Sequence, residues 1–462
     1  MARVTIVGAG MAGSEAALQL ARRGIDVRLV EMRPVRQTEA HQTDGMAELV
    51  CSNSFRGAAL MNAVGLLKEE MRRAGGVLMD LAEDAAVPAG GALAVDRERF
   101  SSLVTEAVMN EPRITVVREE LTSLPEDELT ILATGPLTSG PLANALMELT
   151  GEDQLYFYDA IAPILDAESI DRSVVFEQSR YDKGGTADYL NCPMTREEYE
   201  AFVQAIVEAD KVEARAFEEA KFFEACLPVE VLASRGVDTL RYGAMKPVGL
   251  TDPRTGQEPW AVVQLRMENL EGTAYNMVGF QTRLKWGMQK EIFSTIPGLQ
   301  NVEFLRFGSI HRNTFVHGPK VLTERLSLRA RPNLRLAGQV TGVEGYVESM
   351  AVGLVVGQLV AAELLGVDLP VPPEDTALGG LIRHVTGVLA TDNASYQPSN
   401  VNWSMLPSIP KKKIRQKVFR RLAMAERALD SLESWLAIQE AASIRLPGFE
   451  LHRVDEERAQ LT

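Results

Sequence analysis

The stretch RVTIVGAGMAGSEAALQLARRGIDVRLVE, residues 3 to 31, constrains the fold more than any other part of the chain. A β-branched run ends in glycines, apolar positions then recur at helical spacing, and IDVRLVE returns to strand character. Two parallel strands joined by a helix need a right-handed crossover, which places the first domain in the open, doubly wound α/β class.

Within this unit Gly8-Ala9-Gly10-Met11-Ala12-Gly13 fits GxGxxG. Its glycines answer three needs: a tight turn, close backbone approach to a pyrophosphate, and close helix–strand packing. The helix that follows aims its first amides at the phosphates. Glu31 ends the second strand, where a carboxylate accepts hydrogen bonds from both hydroxyls of an unphosphorylated adenosine ribose, as in FAD or NAD. A lone GxGxxG is weak evidence; strand, turn, helix, strand and acid in register make a specific signal. FAD is favoured by the position of the motif and by the later AGQVTGVEGY, where Gly338, Gly342 and Gly345 let backbone approach a ring or ribitol. The plain alternative for those later glycines is helix–sheet packing.

Further along, ITVVREE and ELTILATGP read as strands of the same sheet, the second ending in Thr134-Gly135-Pro136 at a carboxyl edge, where ligands bind in this class. From residue 181 to 307 the texture changes: the helical pattern TREEYEAFVQAIVEADKVEARAF precedes strand-like WAVVQLRMEN and TAYNMVGF. NLRLAGQVTGVEGYVESMAVGLVVGQLVAAELLG then restores a strand, a glycine turn and a small-residue helix. The expected architecture is a discontinuous Rossmann-like FAD-binding domain (1–180 and 308–440) around an inserted α+β domain (181–307). The second part, 308–440, includes a helical C-terminal region, and a tail (441–462) follows.

Composition narrows the chemistry. A net charge of −15 argues against nonspecific coating of nucleic acid but leaves room for a local basic groove. KKKIRQKVFRRLAMAER, residues 411 to 427, holds eight basic residues and one Glu and is a candidate, the alternative being a solvated helix face. Cys51, Cys192 and Cys226 form no CxxC pair, and the five histidines form no HExxH, so neither a disulfide framework nor a catalytic metal is expected. No apolar stretch in the sequence reaches the roughly 20 residues of a bilayer span, and the start does not read as a signal peptide. A cytoplasmic location without a membrane partner is expected.

The blocks VGAGMAGSEAA, HQTDGMAELVCSNSFRG, PAGGALAVDRERFS, LATGPLTSGPLA, YGAMKPVGL, GFQTRLKWGMQKEIF, HRNTF and GQVTGVEGYVES together resemble the bacterial folate- and FAD-dependent tRNA (uracil-5-)-methyltransferases. The resemblance implies that NAD(P)H reduces FAD and that 5,10-methylenetetrahydrofolate gives its one-carbon unit to C5 of the T-loop uridine, tRNA position 54. The product is then 5-methyluridine, and no obligatory protein partner is expected. A related flavoprotein family acting on the wobble uridine, and a non-catalytic FAD-binding tRNA chaperone, are the competing readings.

Uracil C5 is a poor nucleophile until something adds to C6, and a thiolate suits that task. The resemblance carries Cys51, in LVCSNSF, and Cys226, in EACLPVE, over as functional: one attacks C6 and the other assists as acid/base or handles the methylene group. Cys192 is read as structural. His311 and Arg312 are candidates for the folate pocket, as an imidazole can stack on a pterin and a guanidinium can meet the glutamate tail. Arg283, Lys285 and Trp286 combine charge with an aromatic, as a site for a flipped-out base or a folate would; a satisfied domain-interface cluster is the alternative. Because the target lies inside a folded tRNA elbow, the enzyme must read shape and extract the base, and a basic cleft is expected.

Overall fold

Six strands form the sheet that begins with β1 (Arg3–Val7). β1 pairs in parallel with β2 (Asp26–Glu31) on one side and with Thr130–Leu132 on the other. Ile114–Arg118 and Arg331–Leu336 extend the sheet in parallel, and Ser327–Leu328 closes one edge antiparallel. The computed structural model describes residues 3–151, 155–183, 185–212, 227–388, 396 and 398–460. The doubly wound α/β reading of the first domain holds, and a strand 200 residues downstream completes its sheet because Arg331–Leu336 pairs with Thr130–Leu132.

Helix α1 (Met11–Ala21) crosses from β1 to β2 and packs on the helix Tyr346–Leu364. Small residues set how close they come. A Cβ on Gly353 would lie 2.3 Å from the Ala12 carbonyl oxygen, and one on Gly357 2.8 Å from Gln19 Cβ. Among the described residues Tyr346–Leu364 is the one helix long and apolar enough to cross a membrane, but 89% of that stretch is buried inside the protein, so it is a core helix. Its Gln358 Nε2 donates to Gln19 Oε1 at 3.2 Å, and Gln439 Nε2 donates to Gln358 Oε1 at 3.1 Å. This buried amide ladder ties the C-terminal helix Lys417–Ala441 to the core. Each amide satisfies its neighbour, which is what lets polar groups stay buried there. The tail returns to the same body, where Glu69 accepts from the backbone amides of Leu451 and His452.

A second six-stranded sheet is antiparallel along its main run, Tyr189–Met194 pairing with Ala261–Met267 and that strand with Ala274–Met277. Leu165, Leu190, Cys192, Phe202, Phe280 and Phe293 share its separate core. Of the helical pattern beginning at Thr195, Arg196–Glu208 is a helix, opened by a capping box between Thr195 and Glu198. The sheet starts at Ile164–Asp166, earlier than the texture change at residue 181 suggests. Strands of three and two residues, Ile164–Asp166 and Phe176–Glu177, are too short to show an alternation.

Candidate active site

The turn after β1 opens a cleft at the carboxyl edge of the first sheet, enclosing about 1000 Å³ of empty space with its solvent-open mouth included. Gly8, Gly10, Met11 and Ala12 line it together with Glu31 and Arg33, and Gly338, Gln339, Tyr346 and Val50 also border it. Gly8 has φ 98°, and a Cβ there would sit 2.5 Å from the Ala133 carbonyl oxygen; one on Gly13 would sit 1.8 Å from the Gly8 carbonyl oxygen. Those two glycines are required by the protein itself. Gly10 differs, because a Cβ there would meet nothing within 4 Å, so its bareness serves what enters the cleft. Gly10 also leaves α1 without a side-chain cap, keeping the first amides available to an anion.

Glu31 is buried; its Oε2 accepts from the Ala9 amide at 2.8 Å and its Oε1 from Arg33 Nε at 2.9 Å. Burial opposes its ionisation, but the Arg33 guanidinium and the Ala9 and Arg33 amides outweigh it and hold the carboxyl below its usual range. It stays an acceptor, as a ribose contact requires. Ser139 Oγ, also in the cleft wall, is buried with no hydrogen-bond partner among the described residues. An open cradle at Gly10, an uncapped helix start and an orphaned hydroxyl fit FAD. Of the later glycines, only Gly338 borders the cleft. The Cβ space of Gly342 (φ 96°) is filled by the Tyr396 hydroxyl, and that of Gly345 by Glu348 and Asn400.

These positions separate two effects in one experiment. Gly13→Ala is expected to prevent folding, as an added methyl cannot share space with a backbone carbonyl. Gly10→Val is expected to fold with a normal melting transition yet purify without flavin absorbance. Loss of folding in both would contradict the assignment.

Cys51 lies beside the cleft wall. Its Sγ is 3.0 Å from the Tyr346 hydroxyl, which also accepts from the Cys51 amide at 2.9 Å. Burial, and then the neighbouring Cys51, push the Tyr346 phenol well above its ordinary pKa. With its oxygen accepting from the Cys51 amide, the Tyr346 hydroxyl can turn its own proton toward sulfur. Cys192 is fully buried in the second core, where burial pushes its thiol pKa up. Cys226 lies outside the described residues.

Two arginines, Arg266 buried and Arg97 with its side chain 15% exposed, hold the Cys51 segment on both flanks. Arg97 Nη1 donates to the Leu49 carbonyl at 2.5 Å and pairs with Glu268 from the second sheet. Arg266 donates to Asn53 Oδ1 at 2.7 and 3.0 Å and to Ser52 Oγ at 3.2 Å. The thiol is thus positioned by the first domain and clamped from the second. Burial disfavours the Arg97 charge, but Glu268 outweighs it and its pKa is raised, Tyr346 and Cys51 adding in the same sense.

The other expected site residues are dispersed. His311 and Arg312 have their backbone in the strand Ile310–Phe315, paired with Leu155–Ala160, and their side chains lie outside the described residues. Arg283 turns toward buried Glu230, 3.6 Å away, and Lys285 pairs with Asp210 at 3.2 Å. Trp286 remains 65% exposed, stacked on Phe307 at 5.6 Å, which stacks on Phe304 at 4.8 Å. Asn313, within HRNTF, was not anticipated; it is fully buried with both amide atoms unpartnered among the described residues, and the next residue donates its amide to the Pro136 carbonyl in the cleft wall. Tyr346, Arg97, Arg266 and Ser139 were also missed.

Comparison with known proteins fits this geometry. A family model described as GIDA, glucose inhibited division protein A, matches residues 3–368. The Desulforudis audaxviator (strain MP104C) protein "Methylenetetrahydrofolate--tRNA-(uracil-5-)-methyltransferase TrmFO" is 55% identical over 433 residues, covering 94% of this chain and 98% of its own length. The chain belongs to this family. Its member from Staphylococcus aureus (strain Newman), of the same name, is 54% identical over 432 residues, with the same coverage of both chains. Among solved structures, Aquifex aeolicus GidA (form II crystal) superposes with a TM-score of 0.64 at 16% identity, covering 94% of this chain and 73% of that one, a likeness of fold. Within the family fold, the cleft and Cys51 occupy one continuous wall, Val50 lining the cleft beside the cysteine.

Proposed function

We propose that this chain transfers the one-carbon unit of 5,10-methylenetetrahydrofolate to C5 of the T-loop uridine, tRNA position 54, giving 5-methyluridine. NAD(P)H and FAD serve as reductant and flavin, in the cytoplasm. The observation that carries the reading is the Cys51 thiol held 3.0 Å from the Tyr346 hydroxyl at the wall of a dinucleotide cleft. When bound, reduced FAD supplies the two electrons that take the methylene group to a methyl.

The chain's own residues do the rest. Addition of a thiolate to C6 forms an S–C6 bond and moves the ring electron pair to C5, which attacks the methylene carbon; the two bonds from that carbon to folate nitrogens break, their electron pairs leaving with tetrahydrofolate. Departure of the C5 proton and of the thiolate restores the ring. Cys51 and Cys226 share these two tasks, attack at C6 and removal of the C5 proton. Tyr346 keeps its proton and steadies sulfur as an anion. Gly8 through Gly13, Glu31 and Gly338 hold the cofactor; Gly342 and Gly345 set the turn behind it. Ser139, in the cleft wall, offers a hydrogen bond to the cofactor. His311 and Arg312 take the folate, while Arg283 and the exposed face of Trp286 meet the extruded base or its neighbour.

The test is a tRNA carrying 5-fluorouridine at the target, where fluorine cannot leave as a proton does. The parent protein is expected to form a complex that survives denaturation, and one of Cys51→Ala and Cys226→Ala to lose it. No complex with the parent, or a complex in both variants, contradicts the thiol mechanism.

A further inference from the structure

The basic run before and within the C-terminal helix is not used by the catalytic centre. Lys411, Lys412 and Lys413 occupy a turn closed by the Lys413 amide on the Pro410 carbonyl at 2.9 Å, and Lys417 opens the helix Lys417–Ala441. Lys411, Lys412, Lys413, Arg415 and Lys417 are exposed and Arg421 is half-buried. Among the described residues none of these six has an ion-pair partner, while Arg427, farther along the helix, pairs with Asp375. Leaving six cations close together without counter-charges, in a chain of net charge −15, costs self-repulsion that nearby acids would have relieved.

The display is built rather than loose. Ile409 and Phe419 pack against the main core on either side, and Arg420 Nη1 donates to the Ile414 carbonyl at 3.0 Å, folding the turn onto the helix start. The preceding segment is anchored to the wall behind the cleft. Asn400 Nδ2 donates to the Glu344 carbonyl, the Val401 amide to Glu348 at 2.9 Å, and Trp403 Nε1 to the Met61 carbonyl at 3.1 Å. Lys411 is ten positions beyond Val401, at most about 35 Å of extended chain, so the cations lie within reach of a nucleic acid whose loop enters the site.

We propose that this surface, Lys411–Lys413, Arg415, Lys417 and Arg421, binds the phosphodiester backbone of the tRNA substrate outside the target loop. The inference rests on the tRNA reading above. Phosphate contacts of this kind position a nucleic acid without reading its sequence, and they displace counterions, so each leaves a mark on the salt dependence of binding. They let an acidic protein hold a polyanion at a defined place.

The test compares the full-length flavoprotein with a variant in which all six cations are replaced by glutamine, and with one in which the four lysines become arginine. Binding of unmodified tRNA is followed from low to physiological salt. The glutamine variant is expected to lose roughly 0.7 to 0.9 from the slope of log K against log salt for each phosphate contact removed. Its KM for tRNA is expected to rise at least tenfold, with kcat and tRNA-independent NAD(P)H oxidation unchanged. The arginine variant is expected to match the parent. An unchanged slope and KM, or weaker binding with the parent's slope, overturns the proposal while methylation by the parent leaves the tRNA reading standing. A parent that does not bind tRNA even at low salt overturns both.

Discussion

Replacing Cys51 by alanine is expected to lower methyl transfer to tRNA by three orders of magnitude or more while the flavin spectrum and the melting transition stay those of the parent. The size follows from the role: removal of a nucleophile or acid/base group at the reacting carbon typically costs on the order of a thousandfold and often more. The unchanged fold follows from the place, since Cys51 is half-buried and its apolar neighbours form a small cluster of Ala40, Val50, Leu137 and Ile161. Single-turnover rates with labelled methylenetetrahydrofolate measure it. Activity within tenfold of the parent would remove Cys51 from the chemistry.

Arg97 gives the second large effect, and it needs two variants to read. Arg97→Met leaves Glu268, 4% exposed, as a buried carboxylate without its partner, which costs about 3 to 5 kcal/mol and visibly lowers the melting temperature. Arg97→Met combined with Glu268→Leu removes both charges and recovers most of that loss. Activity is not expected to recover with it, because the guanidinium that holds the Leu49 carbonyl, two residues before Cys51, is gone. Single-turnover methyl transfer by the double variant measures it. A double variant as active as the parent would take Arg97 out of the positioning of Cys51.

The GxGxxG unit was legible because its glycines answer to local geometry: Gly8 and Gly13 are excluded from side chains by atoms of the same turn or of the adjoining strand end. Glu31 was legible as the acid that ends β2, but its bond to the Ala9 amide was not, since that contact depends on how the turn folds back. Cys51 stood out by residue type. Tyr346 did not, because 295 residues separate it from Cys51 and a tyrosine opening an apolar helix gives no local signal of a partner. Arg97 and Arg266 were hidden likewise: an arginine in a charged segment reads as surface, and only contacts between the two sheets' domains bury Arg266 and cover most of Arg97. Gly342 and Gly345 show the reverse case, positive-φ glycines whose free space is used by Tyr396, Glu348 and Asn400 behind the cleft.

The most direct measurement is methylation of unmodified tRNA by the purified flavoprotein with NADPH and methylenetetrahydrofolate labelled in its one-carbon unit, the label mapped by nuclease digestion. The expected result is label in 5-methyluridine at T-loop position 54, lost with Cys51→Ala. Label confined to the wobble position, or none from a protein that binds both FAD and tRNA, would contradict the account.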